Sequence, residues 1–280
     1  MTSVAAALAE GTALLRATSS APRADALALL EATLSRRREW ILAFGDRSVP
    51  ARSEAAFRAL CKRRREGTPT AYLLGRAWFC GREFVVDERV LIPRPETEHL
   101  VDEAVVFLGD RQADVLDVGT GSGALACSIA AATRATVAAT DISSAALAVA
   151  RENARRLNVS PRCTFHEGDL AEPVTDRRFD LVLANLPYIP SGDLPSAPDP
   201  VSFEPRLALD GGCDGLSLYR RLLAMLPALL KPKALVLLEA APPTIARLKV
   251  AVKSALPGFA ISLCQDYARF DRYVRAERRD

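Results

Sequence analysis

The residues best placed to do chemistry are Asn185, Leu186, Pro187 and Tyr188. The run before them, Leu181 to Ala184, is short, aliphatic and flanked by polar residues, the pattern of a buried parallel strand. Pro187 has no N–H to give a sheet ladder, so the chain must leave the sheet there. That exit is the carboxyl edge, where open α/β sheets bind ligands. Two acceptors stand side by side at it: the side-chain oxygen of Asn185 and the backbone carbonyl of Leu186. Pro187 pushes Leu186 into an extended conformation and so fixes where that carbonyl points. Tyr188 adds a flat face. Such a corner suits a planar NH2 group. An amide nitrogen is a poor nucleophile because its lone pair is delocalised, as in a peptide bond whose rotation costs roughly 18–20 kcal/mol. Two acceptors aimed at its hydrogens would hold it in line and favour charge developing on nitrogen. No strong base is needed, because an N-methylated amide sheds its extra proton readily. The corner reads as the holder of a planar amide or amine that receives a methyl group. The plainer alternative is a strand-ending turn in which Asn185 only caps backbone groups.

A donor for that group needs a second site, and the stretch Val115 to Ala124 offers one. It runs from strand to loop to helix through Gly119, Thr120, Gly121, Ser122 and Gly123. Glycines permit a tight turn and a close ligand approach, and free N–H groups at the helix start face the ligand. Asp141 ends the next strand, twenty-two residues after Gly119. That is where a carboxylate accepting two ribose hydroxyls belongs. Asp169, followed by Leu170, comes after the third strand, where an adenine would lie. Taken singly, Asp141 could cap the helix from Ser144 and Asp169 could form an Asx turn. Gly119, Gly121 and Ala124 also fit the G-x-G-x-x-A pattern of a nicotinamide dinucleotide site. Against that ligand stands the amide corner, for which hydride transfer has no use.

These edges need a scaffold. From Asp114 onward strands alternate with helices: Val115–Val118, Thr136–Thr140, Cys163–His166, Leu181–Ala184, Ala234–Leu238 and Phe259–Leu263 against 124–132, 144–157, 216–230 and 244–255. That pattern implies an α/β fold with a mostly parallel sheet covered on both faces. A last run, Arg269 to Arg275, reads as a final edge strand. Residues 1–75 read instead as a helical bundle, with Ala26, Leu29, Leu30 and Leu34 at helical spacing and Ser53 as a cap for the helix carrying Phe57 and Leu60. Trp78–Cys80 and Phe84–Val86 around Gly81 read as a hairpin. The domains expected are therefore a helical bundle at 1–75, a hairpin linker at 76–95 and a catalytic domain at 96–280. The basic runs Arg36–Arg38 and Lys62–Arg65 read as solvated helix surface, with a patch for an acidic partner as the alternative.

Composition narrows the class. With 280 residues, 49% of them apolar, the chain can bury a substantial core. No run of eighteen uncharged apolar residues exists, and the N-terminus lacks a basic lead-in, so neither a membrane span nor a signal peptide is expected. A formal charge of +3 does not demand nucleic acid as a partner. The six cysteines form no C-x-x-C pair, and there are two histidines, so no metal site or disulfide framework is expected and the compartment reads as reducing and cytoplasmic.

The motifs together resemble a known family. Asp117 to Gly123, Asp141 and Asn185 to Tyr188 resemble class I S-adenosylmethionine-dependent methyltransferases, with a Rossmann-like seven-stranded sheet. Arg65 to Gly75 and Val90 to Glu98, reading V-L-I-P-R-P-E-T-E, resemble the HemK/PrmC family, as do Glu204-Pro205 and Asp210 to Leu216. That family methylates the glutamine side-chain amide in the Gly-Gly-Gln loop of peptide-chain release factors. The resemblance covers nearly the whole chain. It implies that Gly119 to Gly123 carry the methionine moiety, Asp141 the ribose, and Asp169 with Leu170 the adenine side. Asn185, Leu186, Pro187 and Tyr188 would hold the glutamine, and Arg94, Glu96 and Thr97 would shape a loop over the cofactor. A cytoplasmic monomer acting on a release factor in translation termination, without direct nucleic-acid contact, is the expectation. Three positions depart from the family pattern: Leu186 replaces the first proline of Asn-Pro-Pro-Tyr, Ala240 and Ala241 follow Glu239 without the frequent glycine, and Leu170 stands where relatives often carry an aromatic ring. Asn-Leu-Pro-Tyr also occurs in ribosomal RNA adenine dimethyltransferases, so an adenine-N6 methyltransferase acting on RNA or DNA is the second reading, and a non-catalytic binder that kept the fold is the third.

Overall fold

The computed structural model describes residues 2–266 and 268–278. The outermost positions of the expected domains, 1 and 279–280, lie outside the described residues, as does Tyr267. The chain separates into two compact units, Met1–Arg76 with Pro195–Phe203, and Ala77–Leu194 with Glu204–Asp280.

The first unit is helical: α1 (Val4–Leu15), α2 (Pro22–Leu34), α3 (Arg38–Ala43), α4 (Ala51–Arg65) and α5 (Thr70–Leu74). Leu15, Leu29, Leu30, Ile41 and Phe57 are buried together in its core. Proline sets the start of α2 at its first position, where no N–H is needed. Helix α4 begins at Ala51, so Ser53 lies inside it rather than capping it. The basic run at the end of α4 divides. Lys62, Arg63 and Arg65 are exposed, where their charge suits the negative end of the helix dipole. Arg64 turns inward instead and pairs with Asp25 at 2.8 Å, and the hydroxyls of Ser19 and Thr70 also donate to that carboxylate.

The second unit opens with a hairpin, β1 (Arg76–Phe79) and β2 (Arg82–Val85). Cys80 and Gly81 both have positive φ, the two-residue turn whose twist matches paired strands. Then follow α6 (Glu98–Leu108), β3 (Asp114–Val118), α7 (Ala124–Ala132), β4 (Thr136–Asp141), α8 (Ser144–Arg156), β5 (Cys163–Glu167), β6 (Phe179–Ala184), α9 (Ser217–Leu229), β7 (Leu230–Glu239), α10 (Pro242–Ala255), β8 (Ala260–Gln265) and β9 (Asp271–Arg278). Seven strands form one sheet in the order β5-β4-β3-β6-β7-β9-β8. It is parallel except at β9, which runs antiparallel to both neighbours. The last strand is therefore not the edge, as the sequence suggested; β8 is. Strand β9 enters the sheet because Tyr273, Val274 and Ala276 bury there, whereas β8 stays half-exposed.

Alternating side chains feed two cores. Leu116, Val118, Val182, Val236 and Leu238 face α9 and α10. Val115, Leu181, Leu183 and Leu237 face the side covered by α6 and α7. The strands are buried on both faces, which is why they read as unbroken apolar runs. Each wholly buried Leu or Val contributes roughly 1.5–3 kcal/mol. One buried polar residue ties three segments together. Asn153 of α8 accepts from the Val85 N–H at 2.7 Å, and its NH2 donates to the carbonyls of Val85 and Ser122 at 3.0 and 2.9 Å. The hairpin and the glycine loop are thus fastened to one side chain. Among the described residues, no helix is long and apolar enough to cross a membrane.

Candidate active site

Strand order fixes where a ligand goes. From β3 the chain proceeds outward through β4 and β5, then returns to the other side of β3 as β6 and β7. The reversal lies between β3 and β6, and a crevice opens outside the strand ends at such a point. Register brings the ends level: Val118 pairs with both Thr140 and Ala184, Asp141 with Glu167, and Ala184 with Leu238. The next residue after β3 is Gly119 and the next after β6 is Asn185. Loop and corner therefore face one another across the crevice.

Two connected lobes occupy it, and Leu91, Gly119, Gly121 and Asn185 line both. The larger encloses about 190 Å³ and also touches Asp141, Asp169, Leu170, Leu186 and Pro187. The smaller, about 50 Å³, reaches Asp117, Thr120, Ser122 and Thr97. Of the residues expected from sequence, Gly123 and Tyr188 are outside both linings. Gly123 sits at the start of α7, and the Tyr188 side chain packs on the core under α9 and α10.

The polar groups of the crevice fit an S-adenosylmethionine molecule. Asp141 is neither a helix cap nor an idle turn residue: its Oδ2 accepts from the Gly121 N–H at 2.8 Å and its Oδ1 from the Ser143 N–H at 2.9 Å. The cap of α8 is Ser143. A carboxylate offers about four acceptor directions, so acceptor capacity remains for a ribose hydroxyl. Burial raises the Asp141 pKa, and the backbone donors oppose that. Gly121 has φ +53° and open space where a Cβ would stand, which leaves its outer side to a ligand. Asp117 completes the set. Its Oδ2 accepts from Thr120 Oγ1 at 2.6 Å and from the Ala126 N–H at 3.2 Å, while its Oδ1 is buried with no hydrogen-bond partner. Burial pushes this carboxyl up to about 6. A buried carboxylate with an unpartnered oxygen, on a residue that lines the smaller lobe, suits the ammonium of a methionine moiety. Asp169 lines the larger lobe, and its carboxylate pairs with Arg221 of α9. Leu170 walls the larger lobe with its backbone at φ +49°, a conformation costly for a residue with a side chain.

At the corner, the orientation of Asn185 is decisive. Its Nδ2 donates to Thr97 Oγ1 at 3.0 Å. Thr97 sits beside Glu239, a buried carboxyl that burial pushes up to about 7. The amide nitrogen therefore faces inward and Oδ1 is left as the outward acceptor. Burial pushes the Tyr188 phenol up to about 12, so it stays protonated and cannot serve as a base at neutral pH. The Ile92–Arg94 segment is fixed beside the corner, because Glu204 accepts from the Ile92 N–H at 3.0 Å and pairs with Arg94. Asp117 was quoted in the sequence only as part of the glycine motif. Glu239 carried no signal, since nothing in a run of residues reveals which distant side chain supports a strand end.

Known proteins share these features. A profile described as PrmC N-terminal domain matches residues 6–75, and one described as Methyltransferase domain matches residues 110–213. A release factor glutamine methyltransferase of Moorella thermoacetica is 39% identical over 261 residues, which covers 92% of each chain. One of Bordetella pertussis is 44% identical over 80% of this chain and 84% of its own length. Among solved structures, a methyltransferase from Pyrococcus furiosus superposes with a TM-score of 0.54 at 17% identity, over 71% of this chain and 90% of that one. That likeness speaks for the fold, a class I methyltransferase sheet. Sequence, sheet order and crevice agree, and the chain belongs to the release factor glutamine methyltransferase family.

Proposed function

We infer that this chain transfers the methyl group of S-adenosylmethionine to the side-chain amide nitrogen of a release-factor glutamine, the one in the Gly-Gly-Gln loop. The single observation that carries the reading is the orientation of Asn185, whose NH2 is tied to Thr97 and whose Oδ1 is left to accept. S-adenosylmethionine supplies an electrophilic methyl on a sulfonium. Asp141, Asp117 and the loop Gly119 to Gly123 would hold it, with Asp169 and Leu170 toward the adenine. Asn185 Oδ1 and the Leu186 carbonyl would accept the two N–H hydrogens of the glutamine amide. Both acceptors interact more strongly as positive charge grows on that nitrogen, which is the condition for lowering the barrier rather than merely binding. Pro187 fixes the second carbonyl, and Tyr188, packed on the core, anchors the turn that carries it. We assign release-factor recognition to the helical bundle of residues 1–75, the connection to 76–95, and catalysis to 96–280, in a protein that acts as a monomer.

The test is direct. Purified protein is incubated with a release factor and methyl-labelled S-adenosylmethionine, and the peptide bearing Gly-Gly-Gln is fragmented by mass spectrometry. One methyl on that glutamine is expected. Label found only in adenine of added RNA would reject the reading.

A further inference from the structure

Leu186 creates a problem that a proline there would not. It has an N–H, and its backbone lies just past the end of β6, beyond the sheet ladder. Leu186 is buried, so water does not serve that donor. The group that does is the hydroxyl of Tyr219, in the first turns of α9: the Leu186 N–H donates to Tyr219 Oη at 3.0 Å. Tyr219 is wholly buried, and burial keeps its phenol protonated. Its single proton goes to the backbone carbonyl of Glu239, the last residue of β7. The Leu186 carbonyl lies 3.5 Å from the same hydroxyl, beyond good hydrogen-bond range. That carbonyl therefore stays open while the N–H of the same residue is pinned.

We propose that Tyr219 is a positioning residue for the methyl transfer: its hydroxyl bridges the end of β7 to the Leu186 peptide and so sets the direction of the Leu186 carbonyl. The proposal rests on the assignment of that carbonyl as a substrate acceptor. Leu186 is flexible where the family proline is rigid, and the bridge restores the missing constraint from outside the chain. The neighbouring acceptor is held in the same manner, by Thr97 on Asn185. Each acceptor at the corner thus has one buried hydroxyl behind it, supplied by a different helical segment.

The test is a double-mutant cycle with Tyr219→Phe and Leu186→Pro, since proline removes the N–H that the hydroxyl receives. With Leu186 present, Tyr219→Phe should lower kcat on a release factor by about tenfold or more, with the dissociation constant for S-adenosylmethionine unchanged within about twofold. In the Leu186→Pro background the same change should cost less than about threefold. Equal losses in both backgrounds would overturn the proposal, because the hydroxyl would then be acting only on Glu239. A second readout needs no turnover. In protein labelled with 15N-leucine, the Leu186 amide should be protected from hydrogen exchange, and Tyr219→Phe should speed its exchange at least about tenfold. An unprotected Leu186 amide in the unsubstituted protein would overturn the proposal even if Tyr219→Phe failed to fold. Should the unsubstituted protein not methylate a release factor, the functional reading fails while the exchange result still decides the bridge.

Discussion

Replacing Asn185 with alanine separates catalysis from folding more cleanly than any other change at the corner. Among the described residues the side chain makes one hydrogen bond, to Thr97 at 3.0 Å. Losing a bond of that kind costs about 1 kcal/mol of stability. The melting temperature should fall by only about 2–4 °C. Turnover should respond very differently. Removing one preorganised partner of a developing charge costs about 2.7–4 kcal/mol, or roughly a hundredfold to a thousandfold in kcat. The assay is steady-state methylation of a release factor at saturating S-adenosylmethionine, with calorimetry of cofactor binding and a thermal melt on the same preparation. Cofactor affinity should stay within about threefold, because Asn185 is one of many groups lining the crevice. A variant that keeps turnover within about tenfold of the parent, or that loses activity through KM alone, would refute the role given to Oδ1.

Four further outcomes follow from the geometry. Thr97→Val keeps the shape but frees the Asn185 amide to flip, so kcat should drop several-fold, up to about tenfold, at unchanged cofactor affinity; full activity would show that the amide is oriented by something else. Glu239 is raised from 4.5 to about 7 by burial, so the folded protein holds that proton more tightly than the unfolded chain does. Its contribution is fully present below about pH 4.5 and lost as pH rises through about 7, a difference of roughly 3 kcal/mol, and Glu239→Gln should flatten urea-unfolding stability across that window. Asp117 is raised to about 6, so binding of a cationic donor should release protons near pH 6 and weaken below it; Asp117→Asn should abolish both effects in calorimetry and cost at least about tenfold in affinity at neutral pH. Asn153→Ala leaves the Val85 N–H and the carbonyls of Val85 and Ser122 without their partner, and should cost about 2–5 kcal/mol by chemical denaturation while weakening cofactor binding.

What the sequence revealed followed from local rules. A strand must end where Pro187 stands, a glycine run must turn, and an acid at the end of the next strand must lie level with that turn. These rules placed Gly119, Gly121, Asp141 and Asn185 on one crevice before any coordinates. What stayed hidden depended on pairings between distant segments. Thr97 meets Asn185 across 88 positions, and Tyr219 meets Leu186 across 33. Asp117 was masked for another reason: inside β3 it alternates with apolar neighbours and reads as part of the strand, and only its unpaired oxygen marks it as a ligand group. The edge of the sheet was misjudged because chain order cannot say whether a final strand adds outside its predecessor or slips between two others.

Gly119 has a neighbour that matters beyond its own turn. A Cβ placed there would lie 2.8 Å from Leu186 Cδ2, the tip of a side chain, so the donor loop and the acceptor corner are immediate neighbours. A larger side chain at either position presses on the other, so the two behave as one part rather than two. Anyone grafting the amide-gripping turn onto a different methyltransferase would have to transplant the glycine opposite it as well.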